Sequence, residues 1–560
     1  MYGFSIYNKI SPFEDTSKRI EWQNYTCVNN MIEKFKEDKL FFETENYIII
    51  LDGLIINKKE LKKGNSWKDT IVSLYEEKGE TFFNSMRGCF AGAVYDKKKD
   101  KWIIFSDQLG QKYIYYYVDE NVLVCSSMID NVYNTLRKNG INYSLSEESA
   151  MMLLTFGNVF QDRTLSNEVK KVQPGSYIVY ENKVLVERKY YTLSNTPNYE
   201  RNIDETIEEL DRLFRQAVKR QFDKDLEYNY EHICALSAGL DCRMTTFVAH
   251  DLGYTNQTNL TFSQSDYWDE IIPKRMARDL HHEWVFKSLD DGMWLLNADE
   301  ITKITGGNVF YRGSAHGDSL FRKINWEKYG MIHSGQMGDV TLGCIPCSND
   351  EPYEVGDGAF FRTYLDDLKG VLSGGLSYPN REIGLWYCRY LNGTNYGQQN
   401  EYNYTETFSP FTDLDFIEFC LSIPCKLRHN HKVYKKWIIN KYPQAANYEW
   451  EKIGAKITDP TISIMGKDIP LKSVPYKAVR EFKKRTGIGN LDTKQNMQPV
   501  GYYIDTIDSV REYLNGFSVY SKYIKSDRIL SIIDDIMKRG RGEQKLQAVS
   551  LLSAIKVYFK

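Results

Sequence analysis

At residues 236–243 the chain reads Leu-Ser-Ala-Gly-Leu-Asp-Cys-Arg, and this stretch decides the fold. It follows the apolar run 233–235, typical of a short buried strand, and precedes residues 244–250, typical of a helix start. A turn of small residues between a strand and a helix directs several backbone N–H groups to one point, where the helix dipole favours an anion. We interpret residues 236–243 as a pyrophosphate cradle. The alternative is an ordinary strand-to-helix turn that has collected Ser, Gly and Asp.

The composition is typical of a globular protein with more than one domain. A chain of 560 residues is too long for one hydrophobic core, and its 42% hydrophobic and 26% charged content is ordinary. The formal net charge of -3 shows no basic excess for binding a polyanion. We therefore expect no nucleic acid as a partner.

The sequence also bears on localisation. No run of about 18 apolar residues is present, so no membrane-spanning segment is expected. The amino terminus lacks a basic segment followed by an apolar one, and the ten cysteines form no disulfide framework. These features predict a cytoplasmic protein without a membrane partner.

Two patterns of elements divide the chain. Residues 1–195 are rich in short apolar strands interrupted by one amphipathic helix over about 66–78, which predicts an α+β domain. After a long charged amphipathic helix over 203–221, residues 196–560 alternate apolar runs with helices and become mostly helical from about Arg381. That order predicts a parallel α/β sheet, with ligands beyond the carboxyl ends of its strands.

The loop at 236–243 resembles the Ser-Gly-Gly-Leu-Asp-Ser loop of the ATP pyrophosphatases that form adenylates, with Ala238 and Cys242 as departures. Further segments resemble the asparagine synthetase family in the same order. They are Asp52-Gly53-Leu54-Ile55-Ile56-Asn57, Phe90 to Asp96, Ser106 to Lys112, Thr261-Phe262-Ser263, Ser334 to Asp339, Phe408 to Asp413 and Trp450 to Gly454. The resemblance implies an Ntn-type glutaminase-like sandwich followed by an ATP pyrophosphatase domain, related to β-lactam synthetases and lasso-peptide cyclases.

The resemblance indicates that the amino-terminal domain lacks the functional residues of a glutaminase. The family's glutaminase uses a cysteine at position 2 as nucleophile, and this chain has Tyr2, whose phenol cannot form the thioester. Asp52 and Leu54 stand where the family has its oxyanion-hole Asn and its glutamine-binding Glu. We therefore predict a degenerate domain that does not hydrolyse glutamine.

The resemblance also implies an ATP and Mg²⁺ site. Ser237 and Gly239 would bind pyrophosphate, and Asp241 with Asp339 would hold Mg²⁺, a cation that prefers oxygen ligands. The residues expected around the nucleotide are Leu236, Phe262, Ser334 and Gly335.

The catalytic groups are harder to assign. The resemblance implies that Lys452 stabilises negative charge, first on the α-phosphate of ATP and later on the tetrahedral oxyanion. Lys456 is the alternative lysine. Gln336 replaces the Glu that prepares ammonia in asparagine synthetase, and an amide has no useful basicity. Glu382 is a candidate substitute, and a solvated carboxylate at a helix start is the alternative interpretation.

Together these features predict an ATP-dependent ligase that adenylates a small-molecule or peptide carboxylate and transfers the acyl group to ammonia or an amine. The nitrogen would come from free ammonia, from a partner protein, or from the substrate itself, as in lactam or macrolactam closure. A non-catalytic scaffold with the same fold is the alternative. The sequence leaves the acid, the amine and association into a homodimer open.

Overall fold

The computed structural model describes residues 2–8, 18–62, 64–343, 350–372, 376–464, 467–474, 493–540 and 542–560. The amino-terminal part contains two six-stranded antiparallel sheets, ordered β10-β8-β9-β1-β3-β2 and β12-β11-β7-β6-β5-β4. Their strands are β1 Phe4–Tyr7, β2 Lys18–Trp22, β3 Tyr25–Asn29, β4 Leu40–Glu43, β5 Tyr47–Ile55, β6 Gly88–Asp96, β7 Lys101–Ser106, β8 Tyr115–Val118, β9 Leu123–Ser126, β10 Lys170–Lys171, β11 Ser176–Glu181 and β12 Val184–Lys189.

The alternating directions of the β5 side chains explain how the second sheet is covered on both faces. Ile48 and Ile50 pack into the core that β5 shares with β1, while Ile49 and Leu51 pack on the opposite face against helix Trp67–Lys78. Successive side chains of a strand point to opposite faces, so an unbroken apolar run indicates a sheet buried on both sides. The predicted α+β character of this part is confirmed.

A five-stranded parallel sheet positions the loops that the sequence singled out. Its strands are β13 Glu231–Ala235, β14 Gln257–Ser263, β15 Glu283–Ser288, β16 Tyr329–His333 and β17 Thr407–Phe408, and the spatial order is β15-β14-β13-β16-β17. From β13 the chain proceeds outward to β14 and β15 on one side, and β16 lies on the other. The carboxyl ends of β13 and β16 therefore flank a topological switch point, where α/β sheets bind ligands.

Helices surround these sheets and form most of the carboxyl-terminal part. The α-helices of four or more residues are Lys58–Lys62, Trp67–Lys78, Ile129–Lys138, Glu147–Phe156, Ile203–Glu227, Asp241–Asp251, Trp268–Leu280, Ala298–Thr305, Arg312–Phe321, Gly338–Thr341, Leu365–Val371, Arg381–Leu385, Leu414–Ser422, Cys425–Arg428, Lys432–Lys441, Pro443–Ala446, Val500–Thr506, Asp508–Gly516, Asp527–Arg539 and Glu543–Ala554. A 3₁₀ segment, Thr394–Asn403, leads toward β17.

The two parts of the chain share a hydrophobic core. Helix Glu147–Phe156, within the predicted first domain, packs in one apolar cluster with the carboxyl-terminal helices Asp527–Arg539 and Glu543–Ala554. The predicted boundary at residue 195 falls between β12 and helix Ile203–Glu227 and stays a prediction. Within the described residues, no helix is both long and apolar enough to cross a bilayer.

Candidate nucleotide and metal site

The loops that follow β13 and β16 touch each other at the switch point. The Asp339 amide donates a hydrogen bond of 2.9 Å to the Asp241 carboxylate. A Cβ atom on Gly335 would lie 2.2 Å from the amide nitrogen of Cys242, and one on Gly338 would lie 2.5 Å from the Asp241 Cγ. Glycine at these two positions is therefore what allows two acidic loops to approach this closely.

Asp241 is held in an environment that disfavours its negative charge. The Tyr434 hydroxyl donates to its Oδ1 at 2.9 Å, and the Asp339 amide donates to its Oδ2. Burial, followed by the neighbouring Asp339 carboxylate, raises the pKa of Asp241 to about 8. A cation between the two acids would relieve both effects. The oxygen donors of Asp241 and Asp339 therefore fit a magnesium ion.

Lys452 approaches the acidic pair from a short hairpin formed by Glu449–Trp450 and Ala455–Lys456. Its Nζ lies 3.9 Å from the Asp339 Oδ2, and its side chain is 47% exposed. Lys456 differs, because its Nζ donates to the Asn447 Oδ1 at 2.6 Å and so points to the other end of the hairpin. Of the two lysines, Lys452 is the one beside the acids.

Arg243 fixes this hairpin to the cradle loop. Its buried guanidinium donates to the carbonyl oxygens of Ala238, Ala445, Tyr448 and Glu449, at 2.9, 3.1, 3.1 and 2.7 Å. Four backbone acceptors on one planar cation hold the loop and the Lys452 segment in a fixed relation.

A cavity of about 430 Å³, called the first cavity below, opens in front of the cradle. The predicted nucleotide residues that line it are Leu236, Ser237, Gly239 and Phe262. The Asp269 carboxylate accepts a hydrogen bond from the Ala238 amide at 2.7 Å and so shapes the loop from outside. One wall of the cavity is therefore the loop that the sequence identified.

A second cavity of about 490 Å³ adjoins the first. Phe262 and Gln336 line both cavities, whereas Ser334 and Gly335 line only the second. The second cavity also receives Asn158 from the amino-terminal part of the chain. The adjacent cavities provide room for a nucleotide and for a second reactant beside it.

Glu382 is not brought to this site. Its side chain is fully buried, and both of its carboxylate oxygens pair with the Arg428 guanidinium. The Asn195 side chain donates to the same carboxylate at 2.7 Å. Glu382 lines neither cavity, so its position corresponds to a structural ion pair instead of the predicted base.

The amino-terminal part contacts the parallel sheet through a buried ion network. Lys39 and Lys112 donate to the Glu406 carboxylate at 2.8 and 2.9 Å, and both also face Asp52, at 3.5 and 3.6 Å. Burial alone would raise the pKa of Glu406, but the two ammonium groups hold it below the usual value. Asp52, which the resemblance places at an oxyanion hole, thus faces the same two lysines that pair with Glu406 beside the parallel sheet.

Parts of this chain are similar in sequence to known proteins. Residues 35–191 match the glutamine amidotransferase domain family. A putative asparagine synthetase 2 of Methanocaldococcus jannaschii is 26% identical over 275 residues, which are 45% of this chain and 52% of that protein. Asparagine synthetase B of Escherichia coli is 25% identical over 338 residues, 54% of this chain and 53% of that protein. Over about half of its length, the chain is similar to asparagine synthetases.

The matches of this asparagine synthetase-like chain are partial. It spans about half the length of the curated relatives named above. A solved structure of the allosteric regulatory enzyme of purine biosynthesis matches with a TM-score of 0.24 and 10% identity over 42% of this chain and 54% of that one. A score that low supports no argument about the fold, so the Ntn-type classification of the sandwich stays a prediction.

Several residues at the asparagine synthetase-like site carry no local sequence signal. Tyr434, Arg243 and Glu401 reach the site or its cavities only through tertiary contacts. Arg243 is the last residue of the stretch 236–243, yet nothing in that stretch indicates its partners near residue 448. No periodicity or spacing in the sequence would have identified them.

Proposed function

We propose that this chain is an ATP-dependent ligase that forms an amide through an acyl-adenylate. The observation that carries the proposal is the convergence of Asp241, Asp339 and Lys452 in front of one glycine-containing strand-to-helix loop. Two acids and a lysine around an anion-binding loop suit a triphosphate whose pyrophosphate departs. The names of the relatives support the same reaction class.

The residues divide the work in this proposal. The backbone N–H groups of the loop around Ser237 and Gly239 bind the pyrophosphate, and Phe262 forms the wall of the nucleotide cavity. Bound Mg²⁺, held by Asp241 and Asp339, would supply positive charge against the departing pyrophosphate. Lys452 places its ammonium where negative charge develops on the phosphate and later on the acyl carbon's oxygen.

The nitrogen donor in this proposal is not glutamine. Tyr2 is half exposed and offers no thiol, and Asp52 brings a carboxylate to the position of an oxyanion donor. A negative carboxylate would repel the oxyanion of a thioester-forming reaction. Ammonia, a partner protein or an amine on the substrate is the remaining source, and the last of these includes lactam closure.

Carboxylate-dependent exchange of labelled pyrophosphate into ATP tests the proposal. We expect exchange with Mg²⁺ and one member of a panel that begins with aspartate and extends to other amino acids and short peptides. Asp241→Ala and Lys452→Ala should each reduce exchange by a factor of about 100 or more. Exchange with no member of the panel would favour a scaffold, and exchange unchanged in both variants would place the chemistry elsewhere.

A further inference from the structure

The 3₁₀ segment Thr394–Asn403 forms one side of the second cavity. Thr394, Gly397, Gln398 and Glu401 contribute to this cavity face. The ends of this face reach different places. The Thr394 carbonyl oxygen accepts a hydrogen bond from the Gln336 side chain at 2.8 Å, and the Gln398 side chain donates to the Ser334 hydroxyl at 3.3 Å.

Glu401 is the acidic side chain on this face. Its Oε2 is buried and has no hydrogen-bond partner among the described residues. Burial raises the pKa of the Glu401 carboxyl to about 7, with only a smaller opposing contribution from Thr407. A buried carboxylate oxygen without a partner is costly, and such groups occur where a ligand or a proton transfer requires them.

The two arginines that line the second cavity, Arg312 and Arg389, bind other partners. The Arg312 guanidinium forms an ion pair with Glu543 at 2.5 Å, and Arg389 donates to the Gly358 carbonyl oxygen at 3.3 Å. In the part of the chain that the structure describes, neither arginine forms an ion pair with Glu401. Glu401 therefore lines the cavity without neutralising either arginine.

We propose that Glu401 is the general base of the amide-forming step and that the second cavity receives the acceptor amine. The inference rests on the proposed function. The amine nitrogen attacks the acyl carbon of the adenylate, the bond from that carbon to the phosphate oxygen breaks, and AMP leaves with the electron pair. Before the attack, the Glu401 carboxylate accepts the proton that the ammonium form of the amine must lose, and the proton released as the amide forms passes to solvent.

Two other residues do not serve this purpose. Gln336 borders both cavities, but its carboxamide has no basicity and donates to the Thr394 carbonyl oxygen. Glu382 is occupied by Arg428 and lines neither cavity. Glu401 supplies within the cavity the carboxylate that the Gln336 position has lost.

A comparison of two nucleophiles in the Glu401→Gln variant distinguishes a catalytic base from a residue that only supports the structure. The acid that supports pyrophosphate exchange in the wild-type protein is used with either ammonium chloride or hydroxylamine at neutral pH. Ammonium must lose a proton before it attacks, whereas hydroxylamine is largely unprotonated and needs little help from a base. We expect Glu401→Gln to keep pyrophosphate exchange and hydroxamate formation within about threefold, and to lose amide formation from ammonium by about 100-fold.

Stability provides the second measurement. Glu401→Gln removes a charge whose Oε2 is buried without a hydrogen-bond partner, and it keeps the side-chain shape, so the melting temperature should not fall. Glu354→Gln, the same change at an exposed position outside the lining of either cavity, serves as the matched control and should change neither reaction. Equal loss of the hydroxylamine and ammonium reactions, or a lower melting temperature, would overturn the role of Glu401. Absence of pyrophosphate exchange in the wild-type protein would instead overturn the proposed function.

Discussion

The Asp241 carboxylate accepts a hydrogen bond of 2.9 Å from the backbone amide of Asp339, a residue 98 positions further along the chain. This bond joins the loop after β13 to the loop after β16 and brings two acids to one edge of the parallel sheet. The close approach also costs electrostatic free energy, because two nearby carboxylates repel when both are ionised. The arrangement is therefore stable only with a proton or a cation between them.

The first prediction concerns the pH dependence of stability at Asp241. Its folded pKa of about 8 lies above the ordinary carboxyl value, so the folded state binds more protons between about pH 4 and 8. Its contribution to the free energy of unfolding therefore falls as pH rises through this window. Without nucleotide and metal, Asp241→Asn should exceed the wild-type free energy of unfolding at pH 9 by about 1–2 kcal/mol. Urea unfolding at pH 5 and 9 measures this difference, and a less stable variant at pH 9 would contradict it.

The second prediction concerns the close approach at Gly335. Gly335→Ala would place a Cβ 2.2 Å from the Cys242 amide nitrogen, so the two loops must separate. We expect a loss of about 2–4 kcal/mol in the free energy of unfolding. Gly516→Ala is the control, because its Cβ would meet no atom within 4 Å at an exposed helix end. That control should be neutral or slightly stabilising.

The third prediction distinguishes the two lysines of the hairpin. Lys452→Gln should lower pyrophosphate exchange by about 100-fold, because it removes the positive charge nearest to Asp339. Lys456→Gln should keep exchange within about threefold, since that side chain is bound to Asn447. Initial rates under saturating ATP measure both variants. The opposite order would identify Lys456 as the functional lysine.

The fourth prediction concerns the buried ions between the two parts of the chain. Lys112→Met leaves the Glu406 carboxylate with Lys39 as its remaining lysine contact, so we expect a loss of about 3 kcal/mol in unfolding free energy. Combining it with Glu406→Gln should cost less than the sum of the single changes by about 1–3 kcal/mol. Denaturant titration of the four proteins measures this coupling. Strict additivity would show that the pair does not act as a unit.

The fifth prediction concerns glutamine. The purified chain should release no glutamate from glutamine above background, because Tyr2 is no nucleophile. Tyr2→Cys alone should not create the activity, because Asp52 still faces Lys39 and Lys112 with a carboxylate instead of a neutral donor. A coupled glutamate assay measures both proteins. Glutamate release by the unmodified chain would disprove the degenerate interpretation.

At the site, some features could be predicted from neighbouring residues, whereas others depend on contacts between distant segments. The stretch 236–243 predicted a strand, a small-residue turn and a helix, and the structure has β13 ending at Ala235 and a helix starting at Asp241. The amphipathic helix predicted over about 66–78 was confirmed at Trp67–Lys78. These features depend on hydrophobic periodicity and turn chemistry, which neighbouring residues encode.

The role of Glu382 could not be predicted from its neighbours in the sequence. An acid at a helix start is compatible with either catalysis or an ion pair, and the choice depends on Arg428, 46 residues away. Glu401 presents the reverse case, because its sequence context predicts nothing, while burial and an adjoining cavity distinguish it. Charge and exposure of an acid are properties of its three-dimensional surroundings.

The order of elements, the glycine loop and the two acids could be read from the sequence, and Tyr2 led to the prediction of a degenerate glutaminase-like domain. Only the tertiary structure decided that Asp241, Asp339 and Lys452 share one place and that Glu382 does not. It also decided that Lys112 of the amino-terminal part pairs with Glu406. The physical reason is that local sequence sets backbone conformation, whereas contacts between distant segments set distance, burial and charge.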